Sequence, residues 1–403
     1  MRWVYLDNNA TTMVAPEVRE AMLPFLSDEK YGNPSSMHAF GGRIGKDIAR
    51  AREQVAALIG ADPADIIFTS CGTEGDNTAV VGSLQAQPAK RRVVTTRVEH
   101  PAIRTLCRRL ATQGYDLYEL HVDREGLLDM DEVREAITDD TAIVTVMHAN
   151  NETGVVFPIH EIAELCHERG VRFHTDAVQS AGKIPIDVRE IDVDLLTISG
   201  HKLHAPKGVG ALYVRRGLHI EPLLVGGHQE NGRRGGTENV PSIVALGVGC
   251  ELALRRMREE NTTVRAMRDR LERELLKSAP DALVNGNTEH RLPNTTNISF
   301  EYVEGEAILL LLSRVGIAAS SGSACTSGSL EPSHVLRAMG VPYTAAHGSV
   351  RFSFSPYNTE DDVDHVVKHL PPIIRRLREI SPFGPGTDGS DWMQKGSCEV
   401  HHH

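Results

Sequence analysis

Short apolar runs alternate with amphipathic helical patterns between about residues 60 and 215, and this alternation limits the fold more than any other feature. Five runs are rich in β-branched residues: IIFTS from Ile66, RVVTTRVEH from Arg92, TAIVTVMHAN from Thr141, VRFHTDAV from Val171 and VDLLTISGHK from Val193. Segments such as MDEVREAIT (130–138) and HEIAELCHERG (160–170) separate them. The alternation predicts an α/β fold, with a mainly parallel sheet covered by helices on both faces.

The pattern changes after Glu259, where a long charged helix is predicted over TVRAMRDRLERELLKSA, residues 263–279. A chain of 403 residues is long for a single core, so we expect two domains. We predict a large domain at 16–259, a smaller α+β domain at 1–15 and 260–380, and a tail at 381–403. The smaller domain contains the small-residue loop SSGSACTSGSLEPS (320–333), whose composition predicts mobility.

Composition and charge argue against several classes of protein. The net charge of −11, from 43 Lys and Arg against 54 Asp and Glu, argues against nucleic-acid binding. Apolar stretches shorter than a membrane span and an N-terminus without a signal-peptide pattern predict a cytoplasmic protein with no membrane partner. The six cysteines form no C-x-x-C pair, so we expect free thiols. The terminal HHH is left out of any metal argument.

Lys202 is the main candidate for covalent chemistry. It follows the apolar run from Val193 to Ser199, and small molecules bind in α/β sheets beyond the carboxyl ends of such strands. Burial there lowers the pKa of an amine and favours a Schiff base with an aldehyde such as pyridoxal phosphate. A solvated surface lysine is the alternative.

Other candidates also follow predicted strands. Asp176 closes the run RFHTD, where it can pair with a pyridinium nitrogen or simply cap a helix. Gly72 and Thr73 begin a predicted helix, where backbone N–H groups favour a phosphate, although helix capping has the same sequence pattern. His100 can stack on a cofactor ring, act as an acid or base, or be purely structural.

Six stretches resemble a known family: SGHKLHAPKGVGALYVRRG, HTDAVQSAGKIPID, HANNETGVV, YLDNNATT, GNPSS and SSGSACTSGSLEPSHVLRAMG. They resemble the class V aminotransferase superfamily of fold-type I pyridoxal phosphate enzymes and, within it, the cysteine desulfurases. LHAPKG and GGHQENGRRGGTEN resemble the nitrogen-fixation (NifS) branch more than the housekeeping branch. The resemblance implies a large domain with a mainly parallel seven-stranded sheet and a smaller α+β C-terminal domain.

The resemblance also implies roles for individual residues. Lys202 would hold pyridoxal 5′-phosphate, while Asp176, Gln179 and His100 would contact its ring. The phosphate contacts would be Gly72, Thr73, Ser199, Gly200, His201 and, from a partner subunit, Thr237.

For the substrate, the resemblance implies that Asn151, which also borders the cofactor, and Arg351 position L-cysteine. Cys325 would take the sulfur as a persulfide, and would be a metal ligand only if that persulfide binds a nascent iron–sulfur cluster. Cys71, beside the phosphate turn, is the first alternative acceptor, and we expect the other cysteines to be buried structural residues.

The implied enzyme is a homodimeric cysteine desulfurase that converts L-cysteine to L-alanine and passes sulfur to a NifU-like iron–sulfur scaffold, with nitrogenase maturation as its role. A housekeeping desulfurase, and a selenocysteine lyase or aminotransferase of the same superfamily, are alternatives. A non-catalytic sulfur carrier that keeps the fold is another. The tail after residue 380 does not resemble the housekeeping C-terminus that docks scaffold proteins.

Overall fold

The computed structural model describes residues 2–321 and 331–381. Two cysteines, Cys325 and Cys398, lie outside the described residues. The strands are β1 Val4–Tyr5, β2 Ile66–Thr69, β3 Arg92–Thr96, β4 Asp116–Leu120, β5 Thr141–Thr145, β6 Arg172–Asp176, β7 Leu195–Ser199, β8 Gly210–Val214, β9 Ala282–Val284, β10 Thr295–Phe300, β11 Ile317–Ala318 and β12 Ser349–Ser353.

The helices occur between these strands, except for α14, which follows the last strand. They are α1 Pro16–Met22, α2 Ala39–Gly42, α3 Ile44–Leu58, α4 Gly72–Gln85, α5 Pro101–Thr112, α6 Met130–Ala136, α7 Ile159–Glu168, α8 Val188–Ile191, α9 Val240–Glu259, α10 Arg265–Ser278, α11 Gly305–Arg314, α12 His334–Ala338, α13 Tyr343–His347 and α14 Glu360–Ile380. Gly170, at φ +61, follows α7 in the left-handed conformation that commonly ends a helix.

The central sheet has seven strands in the order β2-β8-β7-β6-β5-β3-β4. β8 runs antiparallel to both of its neighbours, and the other pairs are parallel. The prediction of a mainly parallel seven-stranded sheet is therefore confirmed.

Both faces of this sheet are covered by apolar clusters. Successive side chains of each strand point to opposite faces, so one strand can contribute to both clusters. Leu195 of β7 belongs to the apolar cluster on one face, which also contains Ile103 of α5. Leu196 belongs to the larger cluster on the other face, with Ile243 of α9. These strands therefore read as continuous apolar runs, and their polar residues concentrate where the strands end.

A separate apolar cluster gathers Val4 and Leu6 with residues between Val264 and Ile374. It covers the antiparallel sheet β12-β10-β9 and the parallel pair β1-β11. Val335 to Ala346, around α12 and α13, instead pack into the larger core of the central sheet. The division into domains at 259/260 stays a prediction.

Two sequence-based boundaries differ from the structure. The strand run from Arg92 was expected to reach His100, but β3 ends at Thr96 because Arg97–Val98 form a turn. The helix predicted over 263–279 does not begin independently, since a π-helical turn, Glu260–Val264, joins α9 to α10 without a break. Among the described residues, no helix combines the length and apolarity that crossing a bilayer requires.

Candidate active site

Lys202 lies directly beyond the carboxyl end of β7, in the 3-10 turn Gly200–Lys202. Its Nζ donates to the carbonyl oxygens of Asn9, at 2.5 Å, and Ala10, at 2.7 Å. The ammonium is thus held by two neutral acceptors at the edge of the central sheet. Such contacts orient the amine without neutralising its charge.

Asp176 ends β6, the strand next to β7, and its main chain pairs with Thr197. Its Oδ1 accepts the N–H of Val178 at 2.8 Å. The residues that follow form turns and not a helix, so the helix-capping alternative is wrong. Burial raises the pKa of Asp176 to about 6, although the Val178 hydrogen bond and the charge of Lys202 act in the opposite direction. A buried carboxylate of this kind is stabilised by a cationic partner, which a pyridinium nitrogen provides.

Gln179, three residues after Asp176, contacts the N-terminal segment. Its Nε2 donates to Asn9 O at 3.0 Å, while Oε1 is buried without a hydrogen-bond partner among the described residues. Buried polar atoms are normally paired, so the orphaned oxygen indicates a missing polar group. A cofactor ring carrying a hydroxyl fits this requirement.

The N-terminus of α4 is built for the close approach of an anion. No side chain caps this helix, because Cys71 at the N-cap makes no such bond. A Cβ on Gly72 would lie 3.0 Å from Val178 Cγ2 and 3.4 Å from the Cβ of Ser199, so the site leaves little room for a side chain. Uncapped N–H groups and the helix dipole favour a phosphate here.

The remaining predicted phosphate contacts are distributed around this turn. Ser199 is buried at the end of β7, whereas Thr73 is exposed. A Cβ on Gly200 would approach Val209 Cγ1 to 2.8 Å, so this backbone is also closely packed. His201 Nδ1 lies 3.3 Å from Thr11 Oγ1. Thr237 is exposed in the segment before α9.

His100 is the N-cap of α5, and its Nδ1 accepts the N–H of Ala102 at 3.2 Å. Burial, together with the positive charges of Lys202 and His334, lowers the pKa of His100 to about 4. The imidazole is therefore neutral near pH 7. The structural role as a cap is present, and stacking on a cofactor ring stays a prediction.

Arg351 lies in β12 with 4% of its surface exposed. Its Nη1 donates to Asn151 O at 2.9 Å, and its Nη2 donates to Asp7 Oδ1 at 2.7 Å. Asn9 Nδ2 donates to the same Asn151 carbonyl at 3.1 Å. The two predicted substrate residues, Asn151 and Arg351, are thus in direct contact.

Residues 7–12 were not predicted as functional. They follow β1 and contact nearly every element of the site: Asp7 binds Arg351, the Asn9 carbonyl accepts from both Lys202 and Gln179, and Thr12 donates to His201 O at 3.0 Å. Two signals in the sequence mark this segment: the dense polar run DNNATT directly after a short apolar strand, and the place of YLDNNATT among the six stretches that resemble the family.

Buried acids surround the site as well. Asp76 of α4 is buried beside Asp176, and burial together with that neighbouring carboxylate raises the pKa of Asp76 well above its usual value. Glu152 follows Asn151 and accepts a short hydrogen bond from Ser333, the N-cap of α12. Ser333 is the last residue of the small-residue loop 320–333, which also contains Cys325.

The other thiols divide as expected. Cys107, Cys166 and Cys250 are free and buried, as predicted, and burial raises the pKa of each thiol. Cys71 is half-buried, next to the phosphate turn. Residues 2–321 and 331–381 contain no group of three or more His, Cys, Asp or Glu side chains arranged to hold a metal ion.

Comparison with known proteins agrees with this geometry. The model of the family "Aminotransferase class-V" matches residues 4–366. A cysteine desulfurase of Trichormus azollae is 60% identical over 394 residues, covering 98% of each chain. The cysteine desulfurase NifS of Azotobacter vinelandii is 58% identical over 384 residues, covering 95% of each chain. A solved structure of a NifS-like protein matches with a TM-score of 0.87 at 37% identity, covering 94% of this chain and 100% of that chain.

The fold and site define a class V, fold-type I pyridoxal phosphate enzyme. Within that class, the chain belongs to the NifS-type cysteine desulfurases. The cofactor is pyridoxal 5′-phosphate, as in the family as a whole. The unpaired Gln179 oxygen, the buried Asp176 carboxylate and the uncapped α4 fit its ring and phosphate.

Proposed function

We propose that this chain removes the sulfur of L-cysteine, releases L-alanine and carries the sulfur as a persulfide on Cys325. The observation that carries the proposal is that Asp176 ends one strand and Lys202 follows the end of the adjacent strand, in a chain 60% identical to a cysteine desulfurase. We also infer that the persulfide supplies iron–sulfur cluster assembly, with nitrogenase maturation as the end use. The similarity to NifS of Azotobacter vinelandii supports this branch.

The cofactor is held in this proposal by groups on three elements. Lys202 binds it covalently, Asp176 pairs with its ring nitrogen, Gln179 contacts the ring hydroxyl, and the N-terminus of α4 binds the phosphate. Bound pyridoxal phosphate supplies an electron sink for the negative charge that develops at the substrate Cα. Asp176 favours that role because a carboxylate stabilises the protonated ring nitrogen.

Proton transfer falls to two groups of this chain. Lys202, once its amine is released, removes the proton from the substrate Cα as a general base. His100 has a depressed pKa of about 4, so its neutral imidazole can accept a proton near pH 7. Arg351 binds the substrate carboxylate, and Asn151 borders both cofactor and substrate.

The sulfur step needs a thiolate near neutral pH, which a serine hydroxyl does not provide. Cys325 attacks the substrate sulfur, so an S–S bond forms while the Cβ–S bond breaks and its electron pair stays on Cβ. That carbon takes up a proton and becomes the methyl group of alanine. Overall, one cysteine and one protein thiol react to give one alanine and one protein persulfide, and no external oxidant is needed.

We infer a homodimer in which Thr237 reaches the phosphate of the partner subunit. Thr237 is exposed, as a residue that serves a neighbouring subunit must be in the single chain. Large apolar side chains are exposed in two other stretches of sequence, at Leu26 and Tyr31 (66% and 70%) and at Val225 (86%). An obligate interface of on the order of 2,000 Å² or more would cover such residues.

The acceptor in this proposal is a NifU-like scaffold protein in the cytoplasm. A reducing compartment keeps the acceptor thiols free and suits an enzyme with unpaired cysteines. Cys325 would act as a metal ligand only during transfer to a nascent cluster.

The experiment that tests the function is a comparison of wild type with Cys325→Ala and Cys250→Ala. We expect wild type to form alanine from cysteine and to gain the mass of one sulfur on the Cys325 peptide, a gain that a reductant removes. Cys325→Ala should keep its bound cofactor and its cysteine-dependent absorbance change but lose alanine formation. Cys250→Ala, which removes a buried thiol, should still form alanine. Alanine formation at a near wild-type rate by Cys325→Ala would move the acceptor role to another thiol, first to Cys71.

A further inference from the structure

The Arg351 guanidinium is held on two of its three nitrogens. Nη1 is bound to the Asn151 carbonyl and Nη2 to Asp7, whereas Nε is buried without a partner among the described residues. A guanidinium has five N–H donors and no acceptor. N–H donors therefore remain for a ligand. The Nε–H is buried and unpaired, and leaving a buried donor without a hydrogen bond costs free energy.

The main chain on both sides of this contact is fixed. Arg351 exchanges two backbone hydrogen bonds with Ser320, and its strand pairs with β10 at Asn297. Asp7 forms a parallel bridge with Ser353, and its carbonyl accepts the N–H of Ala10 at 3.0 Å. The Asp7 carboxylate consequently approaches the guanidinium from an anchored backbone and not from a free loop.

An arginine side chain loses considerable rotamer freedom when it is immobilised, and its planar fork binds a carboxylate well only if its orientation is set beforehand. Both terminal nitrogens are anchored here by protein oxygens. The N–H groups that Asn151 and Asp7 do not use, Nε–H among them, are left to donate to a second carboxylate.

We propose that Asp7 is a positioning residue: it holds the Arg351 guanidinium so that the remaining N–H groups of Arg351 receive the carboxylate of the amino-acid substrate. The inference rests on the proposed function, because it takes Arg351 as the group that binds the substrate carboxylate. Asp7 itself touches neither substrate nor cofactor in this arrangement.

The test compares two probes that differ by one group, L-cysteine and cysteamine, which lacks the carboxylate. For each cofactor-loaded variant, the probe concentration that gives half of the absorbance change is measured. Asp7→Ala should raise this concentration about tenfold or more for cysteine and less than about twofold for cysteamine, since only cysteine uses Arg351. Asp7→Asn keeps an oxygen that can accept from Nη2 and should stay closer to wild type.

Two further variants make the outcome interpretable. Asp116→Ala breaks an Arg–Asp contact of similar length, 2.6 Å to Arg92, on β4, and should shift neither probe. Arg351→Gln should raise the cysteine value alone; if it does not, the substrate-binding part of the proposed function fails. If Arg351→Gln behaves as expected while Asp7→Ala leaves cysteine unchanged, the positioning role is overturned and the proposed function stands.

Two other results would also overturn the positioning role. An equal rise for both probes in Asp7→Ala would mean that Asp7 supports the fold in general. Tighter cysteine binding in both Asp7→Ala and Asp7→Asn would mean that Asp7 competes with the substrate carboxylate for Arg351. Thermal unfolding and bound cofactor per subunit, measured on each variant, separate these results from misfolding.

Discussion

Lys202 Nζ donates to the main-chain oxygen of Asn9 at 2.5 Å, across 193 residues of sequence. Gln179 Nε2 donates to the same oxygen at 3.0 Å. One carbonyl therefore sets the position of both the amine proposed to bind the cofactor and the amide proposed to contact its ring. The segment that supplies this oxygen also supplies Asp7, the partner of Arg351.

For Lys202, we predict that replacement by alanine abolishes the covalently bound cofactor and lowers the rate of alanine formation at least about 100-fold, because the Schiff base and the general base are both lost. Lys202→Arg keeps a cation that can reach the Asn9 and Ala10 oxygens but cannot form the Schiff base, so it should fail as well. Lys207→Ala, on the exposed part of the same loop, is the control. Absorbance spectra and alanine assays make the comparison, and turnover by Lys202→Ala at the wild-type rate would contradict the assignment.

For the dimer, we predict partial recovery of activity when Thr237→Ala and Lys202→Ala subunits are combined. If Thr237 serves the partner's site, each mixed dimer has one site that carries both defects and one that carries neither. Each parent homodimer has two defective sites. The measurement is alanine formation by mixed dimers isolated with two affinity tags, and an absence of recovery there would show that sites are not shared.

For Glu99, we predict an unusual pH dependence of stability. Its Oε1 accepts from Thr96 Oγ1 at 2.9 Å and from the Met147 N–H at 3.0 Å, whereas Oε2 is buried without a partner among the described residues. Burial raises the pKa of Glu99 from 4.5 to about 8. Between these pH values the unfolded chain loses the proton and the folded chain keeps it, so the free energy of unfolding falls as pH rises, by at most about 1.4 kcal/mol per pH unit.

Glu99→Gln removes this titration. Its urea midpoint relative to wild type should therefore increase steadily between about pH 5 and pH 8. Glu289→Gln, at an exposed position, should follow wild type throughout. Parallel curves for wild type and Glu99→Gln would mean that Glu99 ionises normally in the folded protein.

The ends of the central strands were predictable from the sequence. Strands covered by helices on both faces are apolar along their length, so a change to polar residues marks the end of each strand. The positions of these stops predicted that Lys202 and Asp176 share one edge of the sheet, and the pairing of β6 with β7 confirms that the two strands are adjacent. The same reasoning did not predict the contacts of Asp7 and Asn9, whose partners are 344 and 193 residues away. The local hydrophobic pattern of a sequence carries no information about contacts at such separations. The change of composition near 260 was real, yet the backbone continues through Glu260–Val264, which has no glycine or proline to end the helix.

The pairing of β1 with β11 has a consequence for biosynthesis. Val4 is among the first residues to leave the ribosome, but its partner Ile317 is made near the end, and Arg351, the partner of Asp7, is made later still. Domains tend to fold during synthesis in the order in which they emerge, whereas contacts of such long sequence separation form late. A nascent chain can therefore pair the strands of the central sheet before β1 meets β11 and before Asp7 meets Arg351. If Arg351 binds the substrate carboxylate as proposed, the substrate site is the last part of the enzyme to form, and the unfinished chain is expected not to take up cysteine.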